Sequence, residues 1–326
     1  MCEYFYLMCE FSYLSLYMSY FKDGIWMAEC SRPAAKLYGF RKEKTGMNID
    51  EIDWNEVWKD LYEQNLATRG KGECASIWET KDRAREFLER SNKNPERVAR
   101  VFADLGATPD SRILDVGAGP GTLAVPLASR CAHVTAVEPA TGMIEVMKEF
   151  ALKEGVENLE VVAKRWESVD PAELSRPYDI VFASYSLGMP DIRAAVEKMC
   201  SLATKRICLY WFAGSSPWEK WMIELWPALH GREYRSGPKV NVLYNVLYDM
   251  GIYPNIEMLQ MPHTRIFSDL DAAVEDLKQE YRVETGDQEK ILREYLSSVL
   301  QEKEGELVLS GNSTRVKLWW DVERSA

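Results

Sequence analysis

The sequence predicts an α/β fold: a doubly wound, mostly parallel sheet of seven strands whose last strand runs antiparallel, with an N-terminal helical cover and helical insertions. Three observations predict it. Short, continuously apolar runs, the mark of parallel strands buried on both faces, alternate with helix-period stretches from Arg112 onward. A glycine turn, Gly117 to Gly121, joins the first of these runs to a helix, and the next strand ends in an acid, Glu138. The chain closes on two apolar runs, Glu306 to Leu309 and Val316 to Trp320. A short turn read at Ser310 to Thr314 makes them antiparallel neighbours.

Composition limits the function classes. The chain has 326 residues, 46% of them hydrophobic, enough for a substantial core. A formal net charge of −11 argues against reliance on bulk attraction to nucleic acid phosphates. The seven cysteines are scattered with no C-x-x-C pair and no nearby histidine pair. They read as reduced, inert thiols of a cytoplasmic chain, with no metal site.

Residues 1–46 differ from the rest. Tyr4 to Phe21 is an apolar, tyrosine-rich run nearly as long as a membrane span, but Glu10 sits near its middle and tyrosine prefers the interface. Met47 is expected to be the working start, with 1–46 an extension outside the fold; a membrane partner is expected only if residues 1–22 associate with one. Residues 47–326 are read as one domain. Its cover spans 48–105. There Trp54, Trp58 and Tyr62 recur every four residues, on one helix face that packs as core. A charged helix over 81–90 follows, and a third begins at Asn94-Pro95.

The core, 106–214, opens with the strand Ile113 to Val116. Three glycines at alternate positions (117, 119, 121) stand where a Cβ would obstruct a tight turn or a close ligand. Helix resumes at about Thr122, so its first N–H groups face whatever the loop holds. Glu138 lies 21 residues after Gly117, near the ~20-residue offset at which an acid meets ribose hydroxyls. No Gly-Lys-Ser/Thr follows, which argues against a Walker ATPase. Thr122 occupies the third small position of a dinucleotide fingerprint, which disfavours NAD; an NAD-dependent oxidoreductase stays an alternative, as does a catalytically silent binding module.

Asp115-Val116-Gly117-Ala118-Gly119-Pro120-Gly121 resembles the D-x-G-x-G-x-G motif of class I S-adenosylmethionine-dependent methyltransferases. The resemblance implies a Rossmann-like fold, S-adenosyl-L-methionine as cofactor, no metal, and in-line methyl transfer to an acceptor. It implies that Gly117, Ala118, Gly119 and Gly121 admit the methionyl half, that Asp115 anchors the loop and its amino group, and that Glu138, followed by Pro139, binds the ribose. After the strand Leu159 to Ala163 the family places an acid near adenine. Here Lys164-Arg165-Trp166-Glu167 stands instead, and Trp166 is expected on the adenine ring, Arg165 stacking or bonding to it, and Glu167 replacing the acid.

The strand Tyr178 to Ala183 runs into Ser184-Tyr185-Ser186 at the carboxyl edge, beside the ligand. Ser184 is read as a cofactor contact, Tyr185 and Ser186 as acceptor-side groups. The segment lacks the D/N-P-P-Y/F of base-methylating relatives. A small molecule or protein side chain is therefore favoured as acceptor over nucleic acid. A helix over 192–203 leads to the strand Arg206 to Phe212. An aromatic lid insertion, 215–239, carries Trp218, Trp221, Met222, Leu225 and Trp226 on a one-sided helix ended by Pro227. His230 and Tyr234 are further acceptor-side candidates in its loop. A helix over 240–250, a sixth strand over 255–260 and a helical pair over 268–302, capped by Ser268, precede the closing strands.

Overall fold

A computed structural model describes residues 19–22, 25–28, 51–70, 78–92, 95–175 and 177–322. The chain divides into two units, Met1–Glu51 and Ile52–Ala326. In the first, strands β1 (Ser19–Lys22) and β2 (Ile25–Ala28) pair as an antiparallel hairpin. The expected start at Met47 and most of the Tyr4–Phe21 run lie outside the described residues.

The second unit begins with helix α1 (Trp54–Thr68). Asp53 caps it, its carboxylate accepting the N–H groups of Asn55 and Glu56. The aromatic face is core: Trp58 is fully buried, its indole N–H donates to the Met189 carbonyl at 2.8 Å, and its ring lies 5.8 Å from that of Trp211. Helices α2 (Lys81–Asn92) and α3 (Pro95–Leu105) complete the cover.

Strand β3 (Arg112–Val116), helix α4 (Ala124–Ala128), β4 (His133–Val137), α5 (Thr141–Lys153) and β5 (Leu159–Val162) form the first half of the sheet. Then come β6 (Tyr178–Ser184), α6 (Ile192–Leu202), β7 (Ala203–Phe212), α7 (Pro217–His230) and α8 (Val240–Asp249). The unit ends with β8 (Asn255–Phe267), α9 (Leu270–Lys278), α10 (Gly286–Val299), β9 (Gln301–Lys303) and β10 (Glu306–Asp321). The sheet order is β5-β4-β3-β6-β7-β10-β8, with β9 added on β10. The pairs among β3 to β7 are parallel, and β10 is antiparallel to both β7 and β8. The reversed strand thus lies inside the sheet, and β9 makes eight strands where seven were expected. One face packs Leu114, Val181 and Leu209 with α1, α6 and α8; the other packs Ile113, Ile180 and Phe182 with α3 and α4.

Beyond the carboxyl ends of the parallel strands, β8 and β10 continue as a two-stranded ribbon. Helices α7, α9 and α10 pack on it around Met222, Leu225, Phe267, Leu277, Leu292 and Leu309. Arg265 ties the ribbon to the α9 side through Asp276 at 2.7 Å and Glu280 at 2.6 Å.

Four local expectations are corrected. The turn read at Ser310 to Thr314 does not exist: Gly311 to Ser313 pair with His263 to Met261 inside one continuous strand. The hairpin turn of that region is Glu304-Gly305, both with positive φ, between β9 and β10. Helix α4 starts at Ala124 rather than near Thr122. Pro227 stands inside α7 near its end, where few downstream bonds depend on it, and the helix stops at Gly231, a left-handed residue. Asp269, not Ser268, caps α9, its carboxylate accepting the Ala272 N–H at 2.8 Å.

Candidate active site

The glycine loop leaves β3 at the carboxyl edge of the sheet. The N–H groups of Gly117 and Ala118 both donate to the Val137 carbonyl, at 2.8 and 3.1 Å, so the loop is fastened to the end of β4. All three motif glycines have positive φ, which explains their identity on backbone grounds alone. Their surroundings differ. A Cβ on Gly117 would strike Ser186, and one on Gly121 would strike Met147 and Val125. At Gly119 a Cβ would meet no protein atom within 4 Å. Gly119 is therefore the point at which the backbone is open to a ligand, while its neighbours are glycine to fit the protein itself.

Glu138 stands at the end of β4 and is only 7% exposed. Its two carboxylate oxygens accept the N–H groups of Gly119 at 2.8 Å and Ala140 at 2.9 Å. Burial pushes its pKa up, partly offset by these two bonds, and nearby Glu79 pushes it the same way as burial. Each oxygen keeps a lone pair for a hydroxyl donor. Asp115 is buried at the end of β3, Ala118 is buried in the loop, and Pro139 is half-buried beside Glu138. Gly142 at the start of α5 lets the Glu79–Thr80 backbone come close: a Cβ there would lie 2.6 Å from the Thr80 carbonyl carbon. Helix α2 is seated on α5 through Ala84, Phe87, Met143 and Val146, which brings the cover to the edge of the site.

The segment after β5 does not supply an adenine platform from Trp166. That indole is 3% exposed, its N–H donates to the Ala195 carbonyl at 3.1 Å, and the Lys198 ammonium lies 5.2 Å from its centroid. Lys198 also donates to the carbonyls of Trp166, Glu167 and Val169, locking the turn onto α6. The ring is packed in the core rather than exposed at the sheet edge, where an adenine platform would stand. Arg165 and Glu167, flanking it, are exposed at the carboxyl end of β5.

Ser184, Tyr185 and Ser186 follow β6 at the same edge. Tyr185 holds a φ of 60°, a left-handed conformation that costs a non-glycine residue roughly 1–2 kcal/mol. Its N–H donates to the Tyr210 carbonyl, its hydroxyl donates to the Met261 sulfur at 3.7 Å, and Ser186 donates to the Val116 carbonyl. Strain held this firmly fixes where the Tyr185 ring points. That ring belongs to an aromatic group with Phe212 at 5.2 Å, and Phe212 meets Trp218 at 5.8 Å.

Sequence reading missed four residues here. The Arg315 guanidinium lies 4.4 Å from the Tyr185 centroid, 5.5 Å from Phe212 and 5.7 Å from Trp218. Glu219, buried on α7, pairs with Lys239 at 2.7 Å. His263 packs against Trp218 and Trp221, and its Nε2 is buried without a hydrogen-bond partner. Burial and the charges of Arg265, Arg315 and Arg90 lower its pKa to about 4, so it is neutral at pH 7. Glu219 and Lys239 lie within the lid insertion, whereas His263 and Arg315 come from β8 and β10, distant in the chain, and reach this region only through the ribbon.

His230 and Tyr234 have other work. The His230 Nε2 is 2.9 Å from the Tyr281 carbonyl and its ring lies 4.2 Å from Trp226, so it packs α7 against the α9 end. Tyr234 meets Trp226 edge-on and accepts from Asn65 of α1 at 3.3 Å, pinning the lid loop to the cover. Of the thiols, Cys131, Cys200 and Cys208 are described, all free; burial raises each, to about 11 for Cys200 and about 12 for Cys208. Such thiols are poor nucleophiles. No helix among the described residues is long and apolar enough to cross a membrane.

A mostly parallel sheet with one reversed inner strand, and a glycine loop facing an acid on the next strand, define a Rossmann-like methyltransferase fold. Residues 113–205 match the family model described as a methyltransferase domain. An uncharacterised protein of Haemophilus influenzae is 29% identical over 284 residues, 85% of this chain and 100% of its own length. The 23S rRNA (uracil(1939)-C(5))-methyltransferase RlmD of Pectobacterium carotovorum is 36% identical over 76 residues, 23% of this chain and 17% of its own. A solved structure from Bacillus halodurans, described as a candidate methyltransferase, superposes with a TM-score of 0.50 at 16% identity, covering 70% of this chain and 99% of its own. The match marks residues 113–205 as a methyltransferase domain, the kind of domain that takes S-adenosyl-L-methionine as methyl donor.

Proposed function

We propose that the chain methylates a small molecule held between the glycine loop and the lid helix α7. The observation that carries this reading is the aromatic wall at the carboxyl edge, Tyr185, Phe212 and Trp218, which faces the strand ends with rings rather than with the exposed basic surface a nucleic acid would need. A net charge of −11 supports the same choice.

The cofactor supplies an electrophilic methyl on a sulfonium; the acceptor lone pair forms the new bond while the carbon–sulfur pair stays on sulfur. The residues have these roles. Gly119 gives the backbone its open approach to the methionyl half, Gly117 and Gly121 hold the loop in place, and Asp115 anchors it. Glu138 accepts from ribose hydroxyls through the lone pairs its two N–H bonds leave, with Ala118 and Pro139 beside it. Arg165 and Glu167 border the adenine end, and Ser184 lies between the cofactor and the acceptor side. Tyr185 and Ser186 set the acceptor's approach to the methyl, and rings that exclude water favour the dispersal of positive charge.

Methyl-labelled cofactor incubated with the protein and fractionated host extract tests the reading. Label in the small-molecule fraction is expected; label confined to RNA or to protein would overturn it.

A further inference from the structure

We propose that Arg315 binds an oxyanion on the acceptor, so that the substrate is an anionic small molecule, carrying a carboxylate or a phosphate, methylated at another atom. The inference rests on the small-molecule reading of the same site.

The placement of Arg315 follows from the strand register. It pairs with Phe212, the last residue of β7, and the next peptide link continues the pairing as the Ala213 N–H donates to the Thr314 carbonyl. Arg315 therefore stands at the carboxyl edge itself. Tyr185, over whose ring it lies, is followed directly by Ser186, the residue in contact with Gly117. The guanidinium is thus a neighbour of the loop at which the methyl is delivered.

Its surroundings are unusual for an arginine that merely closes a charge balance. It is half-buried, with rings of Tyr185, Phe212 and Trp218 within 6 Å, and its Nε donates to the Ser313 hydroxyl at 3.1 Å. Among the described residues no carboxylate lies within 4 Å of it. The nearby acid, Glu219, is already neutralised by Lys239 at 2.7 Å, and Lys239 shares the Phe212 ring at 5.6 Å. Other cations on the ribbon are handled differently: Arg265 has Asp276 and Glu280, and Lys317 has Asp104 and Glu257. Contact with rings leaves a guanidinium's terminal N–H groups without acceptors, and its planar donor edge matches the two oxygens of a carboxylate or phosphate. An acidic protein that spares one partly desolvated arginine from its own carboxylates, beside its transfer site, has a site for a foreign anion.

The test uses the full chain saturated with S-adenosylhomocysteine, titrated with benzoate, phenyl phosphate and the uncharged isostere benzamide while tryptophan fluorescence is read. At least one of the two anions is expected to bind about tenfold or more tighter than benzamide. A preference for benzoate or for phenyl phosphate assigns the oxyanion. Arg315→Gln is expected to abolish the preference while S-adenosylhomocysteine affinity stays within about twofold, and Arg315→Lys to restore only part of it. Equal binding of benzamide and both anions, no anion binding at all, or an unchanged preference in Arg315→Gln would overturn the inference. Failure of S-adenosylhomocysteine to bind would instead strike at the methyltransferase reading itself.

Discussion

Gly117 and Ser186 are in such close contact that a Cβ on the glycine would lie 2.3 Å from the serine Cβ, across the gap between the ends of β3 and β6. The glycine loop after β3 and the segment after β6 are therefore fitted to each other. Gly117→Ala adds a clash to a positive φ of 76°, and neither Ser186, held by the Val116 carbonyl, nor the loop can give way cheaply. A loss of roughly 2–4 kcal/mol is expected from thermal or denaturant unfolding, together with weakened S-adenosylhomocysteine binding.

Glu138→Gln tests the acid. The amide presents an N–H group to one of the two backbone donors, Gly119 or Ala140, so one bond is lost and the loop loosens. The affinity for S-adenosylhomocysteine is expected to fall about tenfold or more, as read by calorimetry. Because burial raises the pKa of Glu138 in the folded chain, the wild type gains stability from this group below the unfolded value near 4.3 and loses it as pH rises through the raised folded value. The glutamine variant lacks that pH dependence.

His263 gives the opposite slope. Its folded pKa of about 4 lies below the ordinary 6.5, so between these values the unfolded chain binds the extra proton. Stability is expected to decline as pH falls from about 6.5 to about 4, by at most ~2 kcal/mol after screening by solvent. His263→Asn should flatten the chemical-denaturation midpoint over this interval; an unchanged slope would contradict the desolvated placement between Trp218 and Trp221.

Trp166→Phe removes the indole N–H bond to Ala195 and part of a packed ring. About 2 kcal/mol of stability is expected to be lost, with S-adenosylhomocysteine affinity unchanged. A variant that bound the cofactor several-fold more weakly at equal stability would return the indole to the adenine site.

The glycine-loop half of the candidate site was legible because it is local: strand, glycines, helix and acid lie within 30 residues, and each type has a backbone or hydrogen-bonding reason visible in the sequence. The aromatic half was not, because it is assembled from afar. Gly311-Asn312-Ser313 reads as a turn, yet Gly311 is glycine because Pro217 packs on it, a Cβ there falling 2.8 Å from the proline ring. Pro262, opposite Asn312, is tolerated because β8 is an edge strand. Misreading that ribbon as a hairpin hid the route by which His263 and Arg315 reach the site. Trp166 and His230 show a second limit: type and position in the chain agreed with a ligand role, but hydrogen bonds to Ala195 and Tyr281 turned both rings to packing.

Gly119 offers the most direct test of the central claim that this loop holds S-adenosylmethionine. A Cβ there meets no protein atom, so Gly119→Ala should cost only the positive-φ penalty of about 1 kcal/mol and leave the fold intact. Calorimetric titration with S-adenosylhomocysteine is predicted to show one-to-one binding in the wild type and at least about tenfold weaker binding in the folded variant. Equal affinity in the two proteins, or no binding in the wild type, would contradict the account.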